Sequence, residues 1–172
     1  CSSSHYVQLG QQNYLKNDFL KAVNNFTKSI NVDSNKLGFI GRGISYHQLK
    51  QDNKALKDMY TALKLDSSST GNLYNIGLVY SAQNKFDSSI YYFKKVYNYH
   101  PDLCYAGGSL IEAYLNDNDT SNAIIILNKE LSKKNLSPKC LSSLGLLLYK
   151  SGDKVNGTKN IKQALADMRA QL

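Results

Sequence analysis

The sequence predicts an all-α fold, a solenoid of about five helix-turn-helix hairpins. Three observations carry this. The 172 residues repeat with a period of about 34. Within each period, small and bulky apolar residues alternate at helical spacing. Polar turn signals separate the helical halves. Only two prolines occur, so long uninterrupted helices are permitted.

Five segments align without interior gaps: 3–35, 36–69, 70–103, 104–137 and 138–172, behind a short spacer at 1–2. The first helix of each carries a small residue at Gly10, Gly43, Gly77 and Gly145, with Ile111 as the exception. An aromatic or apolar residue follows three places on, at Tyr46, Tyr80, Tyr114 and Leu148; the first segment has Asn13 there. Each second helix opens on a small residue, at Ala22, Ala55, Ser89, Ala123 and Gly157. A large one stands four places later, at Phe26, Met59, Phe93, Leu127 and Ile161. A slim residue then recurs at Ser29, Ala62, Val96 and Ala164, and Glu130 breaks that series. Small residues let two antiparallel backbones approach, and the bulky neighbour one turn away fills the remaining gap. One hairpin cannot bury its apolar face alone, so hairpins must stack. The turns read Asn17-Asp18-Phe19, Gln51-Asp52-Asn53, Asn84-Lys85-Phe86, Asn118-Asp119-Thr120 and Gly152-Asp153-Lys154; they supply helix stops and N-caps.

This pattern resembles the tetratricopeptide repeat. Segment 70–103 matches it best, with Leu73-x-x-Ile76-Gly77-x-x-Tyr80, then Ser89-x-x-x-Phe93, then Pro101. The resemblance spans nearly the whole chain and implies a right-handed α-solenoid whose first helices line a concave groove. In that register the groove is expected to be faced by Val7, Gln11, Tyr14, Ile40, Ile44, His47, Tyr74, Leu78, Tyr105, Glu112, Leu115, Leu146 and Tyr149. Such a lining is aromatic and aliphatic, suited to a peptide with apolar anchors. Co-chaperone arrays of this family grip a terminal carboxylate with cations spread over three repeats. No register of this sequence supplies those cations.

The net charge of +8 makes an anionic partner a legitimate candidate. Its distribution over the five segments is +1, +3, +1, −1 and +4. Lys50, Lys54, Lys57 and Lys64 alternate with Asp52, Asp58 and Asp66, which reads as a solvated face. Nucleic-acid binding is therefore the alternative function, and protein binding the leading one. Thirteen tyrosines without a tryptophan, beside heavy Asn, Lys and Ser usage, read first as the composition of an AT-rich genome and second as amphipathic aromatic packing or an aromatic-lined surface.

Catalysis, a cofactor and a metal are not expected. His5, His47 and His100 lack partners at ligand spacing, and no paired cysteine motif occurs. Gly38-x-x-Gly41-x-Gly43 lies on a predicted helix with no preceding strand, so its glycines are read as packing contacts. Gly107-Gly108 is read as a close approach or a local weakness within a helix. Cys104 and Cys140 open the fourth and fifth first helices. Because packed helices stand about 8–10 Å apart and a disulfide needs Cα atoms about 4.4–6.8 Å apart, they are expected to be unpaired thiols.

Cys1 followed by Ser2-Ser3-Ser4 resembles a mature bacterial lipoprotein. That resemblance implies lipidation of Cys1, anchoring in a bacterial envelope facing the periplasm, and a role like that of small repeat lipoproteins in secretion, pilus or outer-membrane machinery. At the other end, Leu165, Met168 and Leu172 form an apolar stripe with no further repeat to meet. It is expected to serve self-association as a homodimer, or partner docking.

Overall fold

The computed structural model describes residues 2–133, 136–157, 159–160 and 163. Among the described residues every regular element is a helix. The chain divides into two compact units, Cys1–Gln83 and Asn84–Leu172. The division falls in the turn inside segment 70–103.

The first unit holds α1 (Ser3–Leu15), α2 (Phe19–Val32), α3 (Lys36–Gln48), α4 (Asp52–Leu65) and α5 (Thr70–Ala82). The second holds α6 (Phe86–Tyr99), α7 (Cys104–Asn116), α8 (Thr120–Leu131) and α9 (Pro138–Lys150). The chain is helical again over 154–157. α1, α3, α5, α7 and α9 thus begin 33 or 34 residues apart.

The turns explain that spacing. Asn17, Lys50, Asn84 and Asn118 adopt φ values of 57–63°, and Gly152 has φ 104°. These left-handed residues stop each first helix, and asparagine and glycine are the residues that bear this conformation most readily. The next amide then bonds back to the helix, as in Asp18 N–H to Asn13 O at 2.9 Å, Gln51 to Tyr46 at 2.9 Å and Asp119 to Tyr114 at 2.9 Å. Asp18, Asp119 and Asp153 next cap the following helix, their carboxylates accepting from Lys21, Asn122 and Asn156 backbone N–H. Bonds from the side chains of Lys21, Asn122 and Asn156, and then those from their backbone N–H groups, hold all three carboxyls below the usual range.

In the first unit the core turns on Phe26, which is 2% exposed. Its ring lies so close to α1 and α3 that a Cβ at Gly10 would stand 2.7 Å from it, and one at Gly41 2.4 Å. Burying such a ring stabilises by about 1.5–3 kcal/mol, and only glycine on both flanking helices leaves room for it. The same logic accounts for Gly43, where a Cβ would meet Ala55 O at 3.1 Å. Polar bonds fix the register between helices. Arg42 grips Asp58 through Nε and Nη2 at 2.7 and 2.9 Å and donates to Thr27 Oγ1 at 3.1 Å, joining α2, α3 and α4. The Asp58 carboxylate raises the Arg42 pKa above its ordinary value. Asn72 donates to Met59 O at 2.7 Å, tying α5 to α4.

The second unit is built on Leu110, Ile111, Leu127 and Leu144, all fully buried. Two breaks in the sequence pattern answer each other here. Ile111 fills the place where the other first helices have glycine, and the close approach moves one turn earlier to Gly107. Glu130 occupies that space, fully buried, with its Cδ 2.6 Å from where a Gly107 Cβ would stand. Its carboxylate accepts from Tyr97 Oη at 2.8 Å and from Lys133 Nζ, which also donates to Pro101 O. Burial, then the Glu130 bond, pushes the Tyr97 hydroxyl pKa up. The fourth segment is irregular in pattern but closed by these bonds.

Many tyrosines are stacked beneath cations. Lys54 lies over Tyr46 at 5.4 Å, Lys94 over Tyr114 at 5.5 Å, Lys129 over Tyr97 at 5.1 Å and Lys95 over Tyr91 at 4.6 Å. The aliphatic stems cover ring faces while the ammonium groups meet the aromatic quadrupole.

Candidate functional site

The residues of each first helix that point away from the second helices are free to form clefts, because the hairpin core uses only one face of the helix. Each unit has such a cleft.

In the first unit Gln11, Tyr14, Leu15, Phe26, Leu37, Ile40, Gly41 and Ile44 line a volume of about 360 Å³. Its floor is the Phe26 ring, visible there because Gly41 has no side chain. Leu15 and Leu37 form an apolar rim, 80% and 53% exposed. The surface is aliphatic and aromatic, with Gln11 and the Tyr14 hydroxyl as its polar groups.

In the second unit a cleft of about 490 Å³ runs between α7 and α9, lined by Cys104, Tyr105, Gly108, Ser109, Glu112, Ser137, Cys140, Ser143, Leu146, Leu147 and Lys150. Tyr105 and Leu146 are half exposed on its walls. Serine hydroxyls and one ion pair, Lys150 Nζ to Glu112 Oε1 at 3.4 Å, give it an amphipathic character. Both charges are about half exposed, so the pair contributes little stability and is free to re-pair with a ligand.

The other wall contact is covalent. Cys104 and Cys140 form a disulfide with Cα atoms 5.9 Å apart, which corrects the expectation of two free thiols. The error lay in comparing an axis separation with a Cα separation. Each Cα stands about 2.3 Å off its axis, so facing Cα atoms of helices about 8–10 Å apart come within about 3.4–5.4 Å at closest.

Of the residues read as groove-facing, the two clefts gather Gln11, Tyr14, Ile40 and Ile44 in the first unit and Tyr105, Glu112 and Leu146 in the second. Val7 is not among them. It is 7% exposed and packs with Ala22 and Phe26 in the core. His47 is drawn aside by a 2.7 Å bond from Nδ1 to Asp52 Oδ1 at the start of α4. Tyr74, half-buried, and Leu78, exposed, stand on α5 outside these two clefts, as do Leu115 on α7 and Tyr149 on α9, the last covered by Lys154 at 5.6 Å. Sequence reasoning missed Leu15, Leu37, Lys150 and the disulfide. The two leucines lie in helix end turns, where pattern assigns no face. Cys1, Leu165, Met168 and Leu172 lie outside the described residues. Among the described residues no cluster of three or more potential metal ligands occurs, and no helix is long and apolar enough to cross a membrane.

The tetratricopeptide-repeat family profile matches residues 72–102. The fold is that of the tetratricopeptide repeat. Solved tetratricopeptide structures agree over almost the whole chain. Pseudomonas aeruginosa pilF has a TM-score of 0.78 at 18% identity, over 94% of this chain and 76% of that one. MamA of Desulfovibrio magneticus RS-1 has a TM-score of 0.77 at 16% identity, over 98% and 96%. The tetratricopeptide-like repeats of a Podosopora anserina kinesin light chain give 0.82 at 11% identity, over 98% and 95%. At these identities the likeness is one of fold. No curated protein sequence matches the chain. The tetratricopeptide fold is an interaction scaffold; its helices present surfaces to other proteins.

Proposed function

We propose that this chain is a protein-binding scaffold that seats apolar side chains of a partner in the clefts of its first helices, as a membrane-tethered accessory factor of a bacterial envelope assembly. The observation that carries the binding role is the pair of open, largely apolar clefts on α1/α3 and α7/α9. Concave apolar surfaces with a few placed polar groups are what peptide and small-ligand sites require. The Cys104–Cys140 disulfide supports an envelope location, since such bonds persist in oxidising compartments and are rare in a reducing cytosol. A lipid on Cys1 would supply the tether; incorporation of radiolabelled palmitate by cells expressing the full gene tests it, and a Cys1→Ser chain must lose the label.

The nucleic-acid alternative has weaker support. Lys54, Lys94, Lys95 and Lys129 stand over tyrosine rings, and Lys150, the cation lining a cleft among the described residues, is paired with Glu112.

Cross-linked capture from native envelopes, with Ile44→Asp and Leu146→Asp chains beside the wild type, tests the reading. A partner held by the wild type should be lost from at least one cleft variant and kept by Ile125→Asp, whose side chain is exposed on α8. Equal capture by all four chains refutes cleft binding. Loss that instead follows salt concentration steeply, whatever the variant, points to nucleic acid.

A further inference from the structure

We propose that the outward face of α6 and α8, on the side of these helices away from the second unit's core, docks on an anionic lipid bilayer. It lies outside both clefts and needs no ligand in them. Core packing uses only one side of each helix. Phe93 and Val96 of α6 and Ala123 and Leu127 of α8 are buried. At about 3.6 residues per turn, the opposite sides carry Tyr91, Lys95 and Tyr99 on α6, and Ile125 and Lys129 on α8. Ile125 and Lys129 stand one repeat, 34 residues, after Tyr91 and Lys95, so they hold the same places on successive second helices. The two stripes are neighbours. Tyr97 of α6 donates to Glu130 of α8 at 2.8 Å, and Lys129 Nζ lies 5.1 Å from the centre of the Tyr97 ring.

Hydrocarbon and charge together select the occupant. Tyr91 is 53% and Ile125 62% exposed, with Tyr99 and Ile124 exposed beside them. The place that Tyr91 and Ile125 share is taken on α2 and α4 by Asn24 and Lys57, both exposed, as suits a face kept in water. The charge on this face is of one sign. From cap to cap the two helices carry Lys85, Lys94, Lys95 and Lys129 against Asp87 and Asp119. Asp119 is engaged as a cap, and Glu130 is buried against Lys133. Lys95 Nζ lies 4.6 Å from the centre of the Tyr91 ring. A lysine held over a ring is a weak sole grip on a phosphate, but at a bilayer the hydrocarbon beside it supplies the rest. Tyrosine and isoleucine enter the headgroup and upper acyl region while the ammonium groups stay with the lipid phosphates. A nucleic acid would answer the lysines and leave Ile124 and Ile125 in water. A neutral bilayer would answer the isoleucines and leave the lysines without anions. An anionic bilayer uses both.

The test uses the full chain as Cys1→Ser, so that no lipid on the chain contributes. It is co-sedimented with vesicles of phosphatidylglycerol and phosphatidylcholine in equal parts, and with vesicles of phosphatidylcholine alone. The expected result is binding to the first and not to the second. Lys95→Gln and Lys129→Gln should each weaken binding about fivefold. Tyr91→Ser and Ile125→Ser, which change no charge, should also weaken it about fivefold each. Lys57→Gln, on the first unit, should leave it unchanged, and helical circular dichroism should be the same for all the chains. Four results overturn the proposal: no binding to anionic vesicles, equal binding to neutral ones, an equal loss in Lys57→Gln, or binding that Tyr91→Ser and Ile125→Ser leave intact while salt removes it. The last marks a general polyanion site, such as one for nucleic acid. The clefts are tested apart from this face. Ile44→Asp and Leu146→Asp should keep vesicle binding, whereas Ile125→Asp should lose it and still capture the cleft partner. If capture fails while vesicle binding follows these variants, the cleft reading falls and the bilayer face stands.

Discussion

Adjacent glycines on α7 should respond to alanine with opposite signs. At Gly107 the added methyl would stand 2.6 Å from Glu130 Cδ, 2.8 Å from Cγ and 2.9 Å from Oε2, well inside ordinary contact. The end of a glutamate would normally swing away. This one is fully buried and held by Tyr97 and Lys133, so withdrawal strains or breaks a charged hydrogen bond, costing about 1.5–3 kcal/mol. Alanine's better helix propensity returns about 1 kcal/mol, leaving Gly107→Ala destabilised by about 0.5–2 kcal/mol. At Gly108 a Cβ meets nothing within 4 Å, so Gly108→Ala should stabilise by about 0.5–1 kcal/mol. Urea unfolding of both chains with the disulfide intact measures the gap, expected at about 1–3 kcal/mol. In a Glu130→Ala background the Gly107→Ala penalty should vanish, because the methyl then enters vacated space. Equal stabilities for the two single variants, or a penalty that persists without Glu130, would refute the proposed packing.

Other perturbations follow from the first unit. Asp58→Ala leaves Arg42, 18% exposed at its side chain, without its partner and should cost about 2–4 kcal/mol in urea unfolding; the Arg42→Met/Asp58→Leu pair should cost less. Lys50→Asn should stabilise by about 0.5–1 kcal/mol, read as a raised Tm, because asparagine bears the φ of 59° better than lysine. Asp66, bonded to Lys36 at 2.5 Å and to Ser68, has its pKa lowered to about 2. A depressed carboxyl contributes stability above its unfolded value near 4, and that contribution disappears as pH falls from about 4 to about 2. Asp66→Asn should therefore flatten the acid limb of the stability–pH curve over that window, leaving neutral pH as the place where the variants differ most.

Helix boundaries were legible because the sequence marks them chemically: Asn17, Asn84, Asn118 and Gly152 are residues that tolerate a left-handed stop, and Asp18, Asp119 and Asp153 are caps. Face assignments were less so. Val7 and Gln11 lie one turn apart on α1, yet Val7 is pulled into the Phe26 core while Gln11 lines the cleft. His47 sits in the groove register, but an acceptor five residues on, Asp52, decides where its ring goes. The pattern also flagged Ile111, Glu130 and the Gly107-Gly108 step as separate irregularities. They are one packing arrangement, and a one-dimensional alignment cannot show that the space missing at Ile111 reappears at Gly107 against a residue 23 positions away.

One register position illustrates what such an array varies and what it keeps. Gln11, Ile44, Leu78, Glu112 and Leu146 occupy the same place on α1, α3, α5, α7 and α9, 33 or 34 residues apart. The backbone frame around them is fixed by the buried small and bulky residues, so substitutions here change the surface with little effect on the fold. Four of the five are uncharged, and the fifth, Glu112, faces Lys150 across the cleft that the disulfide also crosses. The ion pair and the disulfide belong to the second unit's cleft, while the first unit's is lined by hydrocarbon apart from Gln11 and the Tyr14 hydroxyl. A partner that depends on the first cleft should bind through apolar burial and be insensitive to reductant. One that depends on the second should respond to salt through Glu112 and Lys150.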